Sequence, residues 1–150
     1  MNLTSMIRGA RILGIPVLWT EQAPEKIGKT IPEIKKLLDN SQPIAKISFS
    51  CCGDALFMQA LAGFSARQVL LVGIETHVCV YQTAMDLVHF GYEVQVVSDA
   101  VSSRTKKNKE IGFERIRAAG ASLTSTETAL CELIRVAEGD HFKKILELIK

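Results

Sequence analysis

No apolar run in the 150-residue chain approaches the roughly 18–20 residues needed to span a bilayer. The opening Met1-Asn2-Leu3-Thr4-Ser5-Met6 lacks the basic-then-apolar pattern of a secretory signal. These absences exclude a helical membrane anchor as a sequence-level reading and leave a cytoplasmic protein as the expectation. Charge of one sign is also lacking: 18 basic against 16 acidic residues gives a net +2. The basic residues are scattered apart from Lys106, Lys107 and Lys109, so no phosphate-binding stripe is visible and no nucleic-acid partner is expected. The four cysteines, Cys51, Cys52, Cys79 and Cys131, form no Cys-x-x-Cys pair and no cysteine–histidine cluster with zinc spacing. A disulfide framework is therefore not expected, and free thiols in a reducing compartment are. Glycine-rich nucleotide loops, His-Glu-x-x-His and Gly-x-Ser-x-Gly are all missing, which removes the usual nicotinamide, ATP, zinc-peptidase and serine-hydrolase readings.

What is present is ordinary globular material. Apolar residues make up 47% and charged residues 23%, and the length suits one domain over residues 1–150 with its own core. Leu3, Met6, Ile7 and Ala10 form a helical stripe, with Gly14 just past its end. Ile15-Pro16-Val17-Leu18-Trp19-Thr20 reads as a buried strand, followed by a polar loop over 21–29. Thr30 and Glu33 suggest a capping box opening a short helix through Leu38. Residues 43–49 read as either a short strand or an extended loop. Asp54 suits the cap of a helix striped by Phe57, Ala60, Leu61 and Phe64. Residues 68–73 are the clearest strand and, being apolar throughout, predict a parallel strand buried on both faces.

Val80, Ala84, Leu87 and Val88 stripe the next helix, closed by Gly91, and residues 93–98 form another strand. A basic helix over 105–119 ends at Gly120 and is followed by a brief strand to Thr124. Thr124 and Glu127 suggest a second capping box before a helix to about residue 137. Phe142, Ile145, Leu146 and Ile149 stripe a last helix whose apolar face looks uncovered. Strands and helices alternate, which predicts an α/β fold: a three-layer α/β/α sandwich around a parallel, Rossmann-like sheet.

In such a sheet, ligands bind beyond the carboxyl ends of the strands. Gly73-Ile74-Glu75-Thr76-His77-Val78-Cys79-Val80 runs from a buried strand straight into a helix, with Cys79 in its first turn. Unpaired N–H groups and the positive dipole end there would lower a thiol pKa and could hold an oxyanion. The residues alone leave two readings of Cys79 open, a nucleophile and a buried structural cysteine. Cys51 and Cys52 are adjacent, so at most one faces any pocket. His77 lies two residues from Cys79 and cannot face it on a helix. Lys46, within Pro43-Ile44-Ala45-Lys46-Ile47-Ser48-Phe49, is open to a buried, partnered reading or an exposed one.

The run from Val69 to Ala84, with Gly91-Tyr92-Glu93-Val94, Ser98-Asp99-Ala100 and Ser102-Ser103-Arg104, resembles the nucleophile region of the isochorismatase-like cysteine hydrolases. Pro16-Val17-Leu18-Trp19-Thr20-Glu21-Gln22 and Ala45-Lys46-Ile47-Ser48-Phe49-Ser50 resemble the branch called isochorismatase domain-containing proteins. The resemblance covers essentially the whole chain. It implies a six-stranded parallel sheet, an Asp–Lys–Cys triad, and a non-proline cis peptide matching Ile74–Glu75. By position, Cys79 matches the nucleophile and Lys46 the lysine, with the backbone N–H groups of Glu75 and Cys79 as the oxyanion donors. The family's Asp ends a strand that would precede the first helix and has no counterpart here. Asp54 and Asp99 suit turn or capping roles.

The resemblance thus implies a domain incomplete by about 20–25 N-terminal residues, one strand and its loop. No Asp-x-His metal set is found, so neither a metal nor another cofactor is expected. The expected activity is hydrolysis of a small-molecule amide or related carbonyl compound through a thioester, in a homo-oligomer. The alternative is a non-catalytic, ligand-binding or oligomerising module. A thiol-redox protein pairing Cys51 or Cys52 with Cys79 is a more distant third.

Overall fold

The computed structural model describes residues 2–38 and 41–150. Helix α1 (Asn2–Ile12) is followed by β1 (Thr20–Gln22), the short helices α2 (Pro24–Ile27) and α3 (Pro32–Lys35), and β2 (Ile44–Lys46). A 3-10 turn, Cys51–Gly53, leads into α4 (Ala55–Ala62) and β3 (Gln68–Ile74). A π-helical turn (Thr76–Val80), α5 (Tyr81–His89), β4 (Glu93–Ser102), α6 (Lys106–Ala118) and β5 (Ser122–Thr124) come next, then α7 (Thr126–Ile134) and α8 (Gly139–Ile149).

Every strand pairing is parallel, as the alternation of strands and helices requires. Side chains alternate across β3. Val69 and Leu71 pack into a core with Phe57, Leu61, Ala84, Leu87 and Ile116, from α4, α5 and α6. Leu70 and Val72 face the opposite core of Met6, Ala129, Leu130 and Ile145, from α1, α7 and α8. Two helical layers thus cover two faces of a parallel sheet, the three-layer α/β/α arrangement. A third cluster of Ile7, Trp19 and Leu38 binds α1 to the β1 side.

Several local expectations are corrected. The strands form two ladders, β1-β2 and β3-β4-β5, rather than one sheet. Residues 15–19 are not a strand, and residues 69–72 are half-buried rather than buried. Among the described residues β3 pairs on one side only, with β4, and residues 15–19 join no ladder beyond the Ile44 N–H donating to Trp19 O at 3.0 Å. Residues 20–22 of the expected loop pair with β2 instead, and Pro24–Ile27 is helical. Thr30 does not cap α3. Pro32, whose ring presets φ, starts that helix, and the Thr30 N–H donates to Glu21 Oε1 at 2.7 Å.

Ser125, not Thr124, caps α7 by accepting from Thr128 N. That helix ends at Ile134, where Arg135 turns left-handed at φ 60. The stripe on α8 is not uncovered: Ile145 is fully buried among residues of α1 and α7, and Ser5 Oγ donates to Leu148 O at 3.1 Å. Asp54 caps α4 through Leu56 N and Phe57 N, and Asp99 Oδ1 accepts from both N and Oγ1 of Thr126. Both carboxylates thus serve local structure.

Candidate active site

The carboxyl ends of β1, β2 and β3 converge on a cavity of about 100 Å³ between the two ladders. Thr20, Gln22 and Lys46 line it from one side, Leu71 and Ile74 from the other, and Cys79 and Cys51 also reach it. A larger open hollow of about 550 Å³ beside β5, lined by Gln95, Phe113 and Arg117 among others, contains neither Cys79 nor Lys46. The smaller cavity is the one lined by both Lys46 and Cys79.

Lys46 is only 4% exposed. Burying an ammonium costs several kcal/mol unless its donors are satisfied. Nζ donates to Gln22 Oε1 at 2.5 Å, Ser48 O at 2.8 Å and Phe49 O at 2.9 Å. All three donors end on neutral acceptors, so the positive charge is hydrogen-bonded but not neutralised by them. The bends after β2 exist to aim those carbonyls: the chain turns back so that residues 48 and 49 both point at the ammonium. Gln22 Nε2 donates in turn to Ile47 O at 2.6 Å, which fixes the orientation of its amide.

Cys79 lies in the π-helical turn rather than in the first turn of an α-helix. The turn is closed by the Val80 N–H donating to Glu75 O at 3.2 Å. Burial pushes the Cys79 thiol above its ordinary 9.0, while Lys46 and a backbone hydrogen bond with Glu75 pull it down. The expectation of a lowered thiol is therefore corrected: desolvation outweighs the cation and the backbone. Cys51, read from the sequence as one of two equivalent neighbours, lines the cavity and sits 3.6 Å from Thr20 Oγ1. Its partner Cys52 packs against the core beside α4 and α5, and burial raises that thiol to about 11.

His77 points away from the cavity. Its Nδ1 meets Ser103 Oγ at 3.0 Å and its Nε2 lies 3.9 Å from Glu75 Oε2. The Ile74–Glu75 peptide is cis. Among the described residues, no three His, Cys, Asp or Glu side chains gather where they could hold a metal ion. All four cysteines are free. Sequence reasoning missed Gln22 as the partner of Lys46, since an amide two residues past Thr20 carries no signature. It also missed which of the paired cysteines faces the cavity.

The isochorismatase domain family model matches residues 1–128. The chain belongs to the isochorismatase family. The secreted isochorismatase effector Isc1 of Phytophthora sojae is 42% identical over 97% of this chain and 71% of its own length. Isochorismatase domain-containing protein 2A of Mus musculus is 40% identical over 97% of the chain and 69% of its own. Among solved structures, the MAR1 ribonuclease from Caenorhabditis elegans superposes with a TM-score of 0.91 at 40% identity, covering 99% of this chain and 76% of that one. YcaC from Pseudomonas aeruginosa, solved with covalent acrylamide, gives 0.91 at 26% identity over 98% of this chain and 75% of its own. The isochorismatase-like relatives share the three-layer α/β/α fold. Among the described residues, no helix is long and apolar enough to cross a membrane.

Proposed function

We propose that this isochorismatase-family chain is a cysteine hydrolase of small amides or related carbonyl compounds, with Cys79 as nucleophile and Lys46 as its electrostatic partner. The observation that carries the reading is the presence of both side chains on one cavity at the carboxyl ends of the strands. The Cys79 thiolate adds to the carbonyl carbon, and the tetrahedral oxyanion is held by the N–H groups of Glu75 and Cys79. Collapse breaks the C–N bond, and the amine departs with a proton. Water then cleaves the thioester, giving the acid and the free thiol. A cavity of about 100 Å³ admits a small acyl group, well below the usual 300–1,000 Å³ of drug-sized sites. Covalent acrylamide in the Pseudomonas aeruginosa YcaC structure is the kind of adduct a reactive thiol forms.

Proton transfer needs a further group. The family resemblance implies an Asp at the end of a strand, and among the described residues β1 pairs only with β2 and β3 only with β4. In this reading the domain is N-terminally incomplete, and an extended segment between β1 and β3 carries the carboxylate toward Lys46. Free thiols fit a reducing, cytoplasmic setting, and the working form is a homo-oligomer acting without metal or cofactor. The neutral surroundings of the Lys46 ammonium favour one second reading, a ligand-binding module in which proton transfer is lost.

The deciding assay compares the 150-residue chain with a version carrying an added upstream strand that ends in Asp, on a panel of small amides and on RNA. Amide turnover gained with the strand and lost in Cys79→Ser supports the hydrolase. Equal, substantial turnover with and without the strand removes the Asp from the mechanism. RNA cleavage without amide turnover overturns the substrate class, and no turnover by either version leaves the binding module.

A further inference from the structure

The turn that carries Cys79 is held by one short stretch of chain from the next strand–helix unit. Thr76 Oγ1 donates to Ser102 O at 3.0 Å. His77 Nδ1 meets Ser103 Oγ at 3.0 Å. Glu75 Oε1 accepts from Arg104 N at 3.3 Å and from Arg104 Nε at 2.9 Å. The last residue of β4 and the two that follow it thus grip three consecutive residues before Cys79. Arg104 is 79% exposed on its side chain, so its ion pair contributes little by itself. The buried part of the grip lies further on, inside α6.

Gly112, in the interior of α6, is buried against the peptide that joins Thr76 to His77. A Cβ placed there would lie 2.9 Å from His77 N, 3.0 Å from His77 Cα and 3.0 Å from the Thr76 carbonyl carbon. Real Cβ atoms do not approach so closely, and all three neighbours are backbone, which cannot swing aside as a side chain can. Glycine inside a helix is disfavoured relative to alanine. It is accounted for here by the close approach.

We infer that Gly112 and the 102–104 stretch are positioning elements: α6 sets the height of the nucleophile turn, and with it the direction of the Glu75 N–H over the cavity. The inference rests on the Cys79 chemistry proposed above. It adds that the geometry of the oxyanion site is determined from α6, by residues that touch neither substrate nor thiol.

Two reagents separate positioning from general damage. Acylation of Cys79 by 4-nitrophenyl acetate passes through an oxyanion, whereas alkylation by iodoacetamide does not. Both are followed by intact mass and peptide mapping on the full chain. Gly112→Ala is expected to slow acylation about tenfold, the scale of a misplaced oxyanion donor, while alkylation stays within about twofold. Ser103→Ala, which adds no atoms, should move acylation in the same direction by less.

Gly9→Ala is the control for destabilisation. Its Cβ would lie 2.3 Å from Leu130 Cδ2, in the opposite core, so it lowers stability and leaves the ratio of the two rates unchanged. If Gly112→Ala and Ser103→Ala keep the wild-type ratio, or if Gly9→Ala shifts it as much, the positioning role is overturned. If the wild-type chain is not acylated at Cys79 at all, the nucleophile assignment fails first and takes this inference with it.

Discussion

Lys46 and Gln22 form a closed unit: the ammonium donates to the Gln22 side-chain oxygen, and the Gln22 amide donates to the carbonyl of Ile47, the residue after Lys46. A single amide therefore ties the end of β1 to the end of β2 around a buried charge. Gln22→Ala leaves one ammonium donor without its partner. The expected loss is about 1–3 kcal/mol in urea denaturation. A change within experimental error would mean that water or another acceptor replaces Gln22 at no cost.

The charge of Lys46 acts on Cys79 in the lowering direction, against the larger effect of burial. Lys46→Met removes the lowering contribution and moves the alkylation midpoint of Cys79 to still higher pH. The thiolate fraction near neutrality falls, and iodoacetamide labels the variant more slowly at each pH below the midpoint. An unshifted pH profile would show that the two groups do not communicate.

Cys52 is raised from 9.0 to about 11 by burial, with Asp86 and Cys51 acting in the same direction. The folded chain holds this proton more tightly than the unfolded one. Its contribution to stability is complete below about pH 9 and is lost as the pH rises toward 11. Wild-type stability should therefore fall more steeply across that window than that of Cys52→Val. Parallel curves would mean that the folded and unfolded thiols titrate together.

Asp99, read from the sequence as a turn or capping residue, lies within β4 and accepts from both N and Oγ1 of Thr126. Asp99→Ala is expected to cost about 1–2 kcal/mol, the scale of a lost helix cap, with the iodoacetamide rate of Cys79 unchanged. A large change in that rate would show that Asp99 acts on the surroundings of Cys79 and not only on α7.

Much of this was legible in the chain because it depends on local pattern. The apolar run at 68–73 and the glycine that ends it located the turn bearing Cys79, and Thr105 announced α6. Lys46 was legible only through family resemblance, since a lysine in an apolar stretch says nothing of three acceptors brought from residues 22, 48 and 49. The thiol shift of Cys79 was not legible at all. It is a balance between burial and a cation more than 30 residues away in sequence, and helix-end reasoning supplies only one side of it. Gly112 was invisible for a related reason. Its meaning lies in what touches it, and a glycine inside a helix pattern does not say what that is.

The edge of β3 with which no described strand pairs has a consequence for handling the protein in bulk. Residues 69–73 are Val-Leu-Leu-Val-Gly, half-exposed, with no charge or proline to interrupt them. Backbone donors and acceptors along that edge form a template onto which a strand of any second chain can add. Concentrated solutions are therefore exposed to self-association through this edge, with thioflavin-positive aggregates as the product.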